Sequence, residues 1–305
     1  MPARITIVFL TFNSSRTIAT TVSAARRLSD DIHCVDSFSS DATLDIVRAL
    51  GCRVLQHEFI DYGSQRNWAI ENIPSPGGWQ LHLDSDEELT PALIDEIMAI
   101  DLETVAFDGF MLRRQTAFMG KVLRWGGVAT TWHYRLFRTG FGRCENRRYD
   151  QHFVPSGRTG FLKGRMIDHN IETITEWTAR HNRWATMEAE EIAAERRSAA
   201  DQLRPAAFGL PSQRKRYMKM KYYALPLFWR AGFYFVYRFL FHLAFLDGIP
   251  GVIYCVLQSF WFRFLVDVKI YEIEKPPPLP SPARPSLGPH GAAPIGAPIE
   301  TNGLT

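Results

Sequence analysis

The sequence predicts an α/β protein: a mostly parallel sheet with helices on both faces, followed by a C-terminal helical, membrane-associated hairpin. Strand and helix patterns alternate over the first hundred residues, as they do where crossover helices join parallel strands. Of the 305 residues, 46% are hydrophobic and 22% charged, which is typical of a globular chain. Two apolar segments, 231–246 and 249–266, follow and predict the hairpin.

Each strand of the first half is predicted from a short apolar run, and the first two helices from apolar residues along one face, with a serine cap before the first. The predicted strands are residues 5–10, 32–35, 53–55 and 79–83. The predicted helices begin after Ser14 or Ser15, at Ala42 and at Ser64, and Gly51 ends the second of them with a left-handed cap.

From residue 107 the pattern changes to short strands with glycine turns, which we interpret as the second half of the same domain and the far wall of a cleft. The predicted strands are residues 110–113, 121–125, 134–137 and 161–162. A helix is predicted over 172–203, where Ile174, Trp177, His181, Trp184 and Ile192 form a stripe typical of core packing. The first domain is therefore predicted to span residues 1–203.

The C-terminal region combines basic and aromatic residues. Residues 202–246 contain eight Lys or Arg and no Asp or Glu, and 17 of the chain's 39 aromatics lie between 217 and 264. This predicts that 204–275 lies in the cytoplasmic face of an anionic membrane, with a buried hairpin in a soluble core as the alternative. Residues 276–305 hold half of the prolines and are predicted to be a disordered tail.

A ligand-binding site is predicted where acidic residues directly follow the apolar run 79–83. Ligands of open α/β sheets bind at the carboxyl ends of strands, where Asp84 and Asp86 would lie. Two such carboxylates can share a divalent cation, Mg²⁺ or Mn²⁺, that also takes substrate phosphates. The alternative is a plain acidic loop before a helix that Thr90 caps.

Polar residues also follow the first two strands, so we expect them at the same edge of the sheet. Thr11 and Asn13 follow strand one, and Asp36 and Ser37 follow strand two. Asp36 can accept from a base N–H or a ribose hydroxyl, and the set is large enough for a nucleotide. No GxGxxG motif follows strand one and no P-loop motif occurs. The net charge of +3 is too small to indicate nucleic-acid binding.

Four motifs in order resemble an inverting family 2 glycosyltransferase of the GT-A fold. They are TFN after strand one, VDSFSSDAT after strand two, GSQRNWA in the next helix and LDSDE after strand four. The resemblance covers residues 4–190 and is to bacterial enzymes that extend lipopolysaccharide core or exopolysaccharide. The turn Phe245-Leu246-Asp247-Gly248 also recurs in that group.

The resemblance implies a hexosyltransferase that uses a nucleotide-sugar donor, usually UDP-linked, and a lipid-linked or polysaccharide-precursor acceptor at the cytoplasmic face of the bacterial inner membrane. It implies six positions that bind the nucleotide-sugar, with Arg66 near the diphosphate: Thr11, Asn13, Asp36, Ser37, Arg66 and Asp84. It also implies that Asp86 and Asp84 bind the metal, with Asp86 favoured. Ser37 stands where many relatives have a second Asp, and no QxxRW motif of processive polymerases is present.

Inversion at the anomeric carbon needs a base that takes the acceptor hydroxyl proton. In the family this base is a carboxylate downstream of the DxD motif, and Asp150 is the favoured candidate here, with Glu145 second. Both could instead be surface charges among neighbouring arginines. Arg113, Arg114 and Arg135 are further candidates for contacts with anionic substrate groups.

Two other functions compete with this one. A phosphatase with an Asp-x-Asp nucleophile would show DxDxT near the start of the chain, but the motif arrives at Asp84 and Glu88 stands where the Thr should be. An inactive membrane-bound scaffold of the same fold would be expected to lose the acidic residues at 84 and 86, and both are present.

Overall fold

The computed structural model describes residues 5–127, 131–145, 151–197, 218 and 221–275. Its strands are β1 Ile5–Thr11, β2 Ile32–Asp36, β3 Arg53–Gln56, β4 Trp79–Asp84, β5 Glu87–Leu89, β6 Gly109–Phe118, β7 Lys121–Val122, β8 Thr131–Arg138, β9 Gly142–Cys144, β10 Phe153–Pro155 and β11 Thr159–Asn170. The first helices are α1 Ile18–Arg26, α2 Thr43–Ala49, α3 Tyr62–Asn72, α4 Pro91–Met98 and α5 Ile174–Arg197.

The C-terminal region is helical along most of its described length. It consists of α6 Trp229–Val236, a π-helical segment Tyr237–Phe241, a 3₁₀ turn Ala244–Asp247, α7 Gly248–Cys255, a second π-helical segment Val256–Trp261 and α8 Phe262–Glu274.

The sheet runs β3-β2-β1-β4-β8-β6-β11-β5, with β7 beside β6. Strands β1 to β4 are parallel, as predicted, and Ile7 at the centre lies opposite Ile32 on one side and Leu81 on the other. All seven residues of β1 are buried because helices cover both faces of this half of the sheet. Thr90 caps α4, and Gly51 has the expected positive φ of +70°.

The other half of the sheet is mixed, so the whole sheet is not mostly parallel as predicted. Strand β8 is antiparallel to both β4 and β6, whereas β6 and β11 are parallel and β11 and β5 antiparallel. The short connections here, such as the turn at Gly120, cannot hold the crossover that a parallel pair needs. The predicted strand at 121–125 is only the two-residue β7, and that at 161–162 is part of the twelve-residue β11.

Helix α5 packs against α8 through small and apolar side chains. Ala185, Ala189 and Ile192 form a buried cluster with Phe262 and Val266. The predicted core stripe is confirmed at Trp177, His181 and Ile192, which are buried, but not at Ile174, which is exposed in the first turn. The helix is described to Arg197, so its predicted end at 203 lies outside the described residues.

The two apolar segments pack side by side as a hairpin, with Phe235 of the first against Phe260 of the second. Within the first segment, Phe239 packs against Phe245. Arg230 and Asp267 form a fully buried ion pair inside it. The stretch Ala244–Glu274 is long and apolar enough to cross a bilayer by length and composition alone. Its most apolar window has a mean hydropathy of 1.5 and is 28% buried. The predicted tail 276–305 and the basic residues at 204–216 lie outside the described residues.

Candidate active site

Three adjacent strands end in the polar residues that the sequence singled out. In the order β2-β1-β4, Thr11 lies opposite Asp36, and Leu10 lies opposite Asp84. The predicted convergence at the carboxyl edge of the sheet is therefore confirmed. Backbone hydrogen bonds and buried side chains hold these strands in place, so this carboxyl edge of the sheet, the rim, is built on rigid elements.

At the β1–β2 end of the rim, polar groups are bonded to one another. Asp36 is buried, and its carboxylate accepts hydrogen bonds from Thr11 Oγ1 at 3.0 Å and from the Ser39 amide at 2.8 Å. Asn13, at φ +47°, accepts from the Ser40 amide at 2.8 Å through Oδ1. Ser37 Oγ accepts from Gln65 Nε2 at 3.1 Å. The buried Asp36 carboxylate therefore holds together the chain segments that follow β1 and β2.

Asp84 is clamped between two arginines from different parts of the chain. It forms ion pairs with Arg66 of α3 and, at 2.7 Å, with Arg135 of β8. Burial alone would raise the pKa of Asp84, but the two guanidinium groups outweigh it and hold the pKa below its ordinary value. Arg135 also bonds Glu87 at 2.7 Å, and Glu87 accepts from the Asp84 amide at 3.0 Å. Asp84 is therefore ionised and fixed in position.

Asp86 differs from Asp84 because its carboxylate has no hydrogen-bond or ion-pair partner among the described residues. Burial raises its pKa well above the ordinary value, and the negative charges of Asp168, Asp84 and Glu87 add to the effect. Arg114, 3.6 Å from Asp168, opposes it only in part. Negative charge thus accumulates around Asp86, where a cation would relieve it.

The residues around Asp86 fit a cation that is shared with a substrate. Within the described part of the chain, no three His, Cys, Asp or Glu side chains are grouped so that they could hold a metal ion by themselves. Mg²⁺ characteristically takes one or two carboxylates and completes its shell with phosphate oxygens and water. Asp86, with Asp84 two residues away, matches that donor set.

The fold brings three further residues to this place that the sequence pattern does not single out. Glu87 lies in the short strand β5, which has no strand pattern, although the acidic run 86–88 was a signal for it. Asp168 and His169 lie in β11, and the His169 amide donates to the Asp86 carbonyl oxygen at 2.9 Å. His169 Nε2 also contacts Glu88 Oε2 at 2.6 Å. The polar end of the strand, Ile167-Asp168-His169-Asn170, was the available signal.

Of the two candidate bases, Asp150 lies outside the described residues. Glu145 is described, and its carboxylate accepts from the His152 amide at 3.2 Å, while its own amide donates to the His152 carbonyl oxygen at 3.0 Å. Its backbone abuts α3, since a Cβ atom at Gly63 would lie 2.3 Å from the Glu145 carbonyl oxygen. Glu145 therefore adjoins the helix that carries Arg66.

Comparison with known proteins gives relatives over part of the chain. An uncharacterized glycosyltransferase of Rickettsia prowazekii is 32% identical over 94 residues, which are 31% of this chain and 32% of the relative. One of Rickettsia conorii is 33% identical over 94 residues, 31% of this chain and 33% of the relative. The match thus spans about a third of the length of these relatives.

Solved structures show weaker likeness. TarS residues 1–349 of S. aureus has a TM-score of 0.42 and 13% identity, with 88% of this chain and 91% of that chain covered. Glucosyl-3-phosphoglycerate synthase of Mycobacterium tuberculosis, in complex with Mn²⁺, UDP and phosphoglyceric acid, has a TM-score of 0.28 and 19% identity, covering 38% and 43%.

The decisive match is to a protein family. Residues 6–163, more than half of the chain, match the glycosyl transferase family 2 domain. The match includes β1 to β4, the Asp84–Asp86 pair and both candidate bases, and it favours sugar transfer over the phosphatase reaction. The chain therefore belongs to glycosyl transferase family 2.

Proposed function

We propose that this chain is a glycosyltransferase that moves a hexosyl group, with inversion, from a UDP-sugar to a lipid-linked acceptor of lipopolysaccharide or exopolysaccharide synthesis. The observation that carries the proposal is the unpartnered Asp86, held beside Asp84 at the end of β4 and next to two arginines. A carboxyl group without a partner and surrounded by other acidic residues suits a divalent cation that is completed by a diphosphate.

The donor would lie along the carboxyl edge of strands β2, β1 and β4. The nucleoside would contact the loops after β1 and β2, where Thr11, Asn13, Asp36 and Ser37 are interlocked by hydrogen bonds. The diphosphate would lie over Asp86. Arg66 supports this placement, because its Nη1 is buried without a hydrogen-bond partner among the described residues.

A Mg²⁺ or Mn²⁺ ion bound here would supply charge stabilisation for the departing diphosphate. The protein's own contribution is positional, since Arg66 and Arg135 fix Asp84 and thereby the end of β4. Asp150, or Glu145 in its place, would take the proton of the acceptor hydroxyl as that oxygen attacks the anomeric carbon.

The acceptor would be presented at the cytoplasmic face of the bacterial inner membrane. The hairpin supports this, because it leaves large apolar side chains in contact with solvent, and soluble monomers rarely expose such a surface. The most exposed are Phe241 and Ile249, both 76%, and Trp229, 71%. In this arrangement residues 1–203 form the catalytic domain and 204–275 the membrane-associating region.

Titration of UDP into the protein tests the donor site. We expect binding with Mg²⁺ or Mn²⁺, and strong weakening by EDTA or by Asp86→Asn. Asp95→Asn, an exposed carboxylate of α4, is the matched control and should bind UDP as the wild type does. Equal affinity in all of these samples would exclude the metal role of Asp86.

A further inference from the structure

The hairpin is fastened to a loop of the catalytic domain, the bridging loop, which comprises residues 121–127. Asp247, almost fully buried at the turn of the hairpin, accepts hydrogen bonds through Oδ2 from the amides of Arg124 at 2.9 Å and Trp125 at 2.7 Å. Its backbone oxygen accepts from Lys121 Nζ at 2.6 Å. One residue of the hairpin therefore holds three residues of the loop.

A second set of contacts fixes the end of the bridging loop. The Gly126 amide donates to the His242 carbonyl oxygen at 2.8 Å, and Arg238 Nε donates to the Gly126 carbonyl oxygen. Gly126 has φ +71°, and a Cβ atom there would lie 3.0 Å from the Ala244 Cβ. The loop backbone thus lies directly against the hairpin, and a larger residue at 126 would be both strained and crowded.

The hairpin also reaches the interior of the catalytic domain next to this loop. Tyr254 of α7 packs edge-to-face on Phe118, the last residue of β6, with ring centroids 5.2 Å apart. Tyr254, Trp125 and Asp247 line the same small cavity. The hairpin and the bridging loop therefore form one packed unit.

Apolar side chains are exposed on both partners at this contact. Trp125 of the bridging loop is 44% exposed, and Met119, in the turn before it, is 51% exposed. On the hairpin, Leu246 and Ile249 flank Asp247 and are exposed as well. Arg124, also in the loop, is exposed and basic. Exposed aromatic and apolar residues beside basic ones are the composition of a surface that binds anionic lipid.

We propose that the lipid-binding surface is shared between the two partners: Trp125 enters the membrane interface together with the hairpin, and Asp247 is the residue that positions it there. This inference rests on the proposed membrane association and adds a contact from within the catalytic domain. Trp suits the role because its ring is apolar and its N–H is polar, which favours the headgroup region.

This arrangement has a consequence for the active site. The bridging loop follows β6, which carries Arg114, and leads towards β8, which carries Arg135. Both arginines pair with the acidic residues around Asp86. A lipid surface that holds the loop therefore lies where β6 ends and β8 begins, the two strands that carry these arginines.

The test measures partition of the full-length protein into vesicles made of equal parts phosphatidylcholine and phosphatidylglycerol. We expect Trp125→Ala to lower the partition coefficient roughly tenfold, because it removes one large apolar side chain from the interface. Phe107→Ala is the matched control: it removes an exposed aromatic at the opposite end of β6 and should partition as the wild type does.

Two further measurements separate positioning by Asp247 from general loss of structure. Brominated lipid should quench tryptophan fluorescence less in Trp125→Phe than in the wild type. In Asp247→Ala, hydrogen exchange should accelerate in residues 121–127 but not in β1, and partition should weaken. Asp247→Asn should rescue both effects in part, since its amide oxygen can still accept from the two amides.

The outcomes distinguish this inference from the proposed function. Wild-type binding to vesicles with unchanged binding of Trp125→Ala would overturn the role of Trp125 and leave the membrane proposal standing. No binding by the wild type would overturn both. Self-association of the wild type that Trp125→Ala abolishes, without vesicle binding, would assign the surface to a second copy of the chain and overturn the lipid assignment.

Discussion

The parallel half of the sheet and the C-terminal hairpin are both rich in apolar residues, but they use them differently. Every residue of β1 is buried between helices, so the fold itself covers the apolar surface of this half. The hairpin buries one face and leaves Phe241 and Ile249 almost as exposed as in an extended chain. Local hydrophobicity therefore predicts that a segment will be covered, but only the packing shows whether the protein itself covers it.

Buried charges differ between the two regions as well. In the sheet the acidic residues Asp84 and Asp86 lie at the end of β4, and Arg135 reaches Asp84 from within β8. In the hairpin, Arg230 and Asp267 lie inside the packing, and Asp267 also accepts from the Phe228 amide at 2.8 Å. A buried pair satisfied in this way contributes to the specificity of the packing, and removal of one partner would leave an uncompensated charge.

The largest effect is expected for the residue that we propose as the general base. Asp150→Asn should lower the rate of sugar transfer by about 10²–10⁴-fold, the usual contribution of a general base, while UDP affinity stays near that of the wild type. Transfer and UDP titration measured on the same preparations check this. Near-normal transfer by Asp150→Asn together with an inactive Glu145→Gln would reverse the assignment.

The next largest effect is a difference in stability between variants of β1 and variants of the hairpin. Ile7→Ala opens a cavity in the fully buried β1 and should lower the free energy of unfolding by about 2–5 kcal/mol. Phe241→Ala removes a mostly exposed side chain and should change the same quantity by less than about 0.5 kcal/mol. Urea unfolding of both variants measures the difference. Similar losses in the two would mean that the hairpin surface is covered in solution.

The parts of the site that the sequence predicts are those whose signal is local. Asp84 and Asp86 could be found because an apolar run leads directly to them. The contacts of Arg135 depend on the pairing of β8 with β4, and those of Asp168 on the pairing of β11 with β5. Such long-range pairing leaves no periodic pattern in one chain, and a three-residue strand such as β5 is too short to have one.

The contact of the hairpin with the loop at residues 121–127 shows the same limit. The Asp247-Gly248 turn was visible in the sequence as a turn, but its carboxylate bonds amides more than 120 residues away. The helices themselves were predictable because each carries a capping residue or an apolar stripe. Their partners were not, because an apolar stripe does not specify what it packs against.

A smaller effect is expected where α5 meets the hairpin, at His181. This side chain is buried against Trp177, and burial lowers its pKa to about 4, with Arg180 and Arg263 acting in the same direction. Above about pH 6.5 the ring is neutral in both the folded and the unfolded chain. As the pH falls towards 4, the unfolded chain binds the proton first, so stability is lost in this window.

The measurement compares unfolding of the wild type and His181→Phe by urea at two pH values. Between about pH 7.5 and pH 5, the wild type should lose about 2 kcal/mol more than the variant, since one pKa unit corresponds to about 1.4 kcal/mol. Equal losses would show that His181 is accessible to protons in the folded chain and that the α5–hairpin contact is looser than its burial indicates.

The smallest effect is expected at an ion pair that joins the two halves on the surface. Arg16, before α1, lies 3.3 Å from Glu176 of α5, and both side chains are about half exposed. Glu176 also accepts from the Thr173 amide at 2.8 Å, and its own amide donates to Thr173 Oγ1 at 3.2 Å, which together form a capping box for α5.

Arg16→Ala removes only the ion pair and should leave the melting temperature within about 1 °C of the wild type, because solvent screens the pair. Thr173→Ala removes part of the cap and should lower it by about 2–4 °C. If Arg16→Ala lowered the melting temperature more than Thr173→Ala, the ion pair between the segment before α1 and helix α5 would contribute more to stability than the helix cap does.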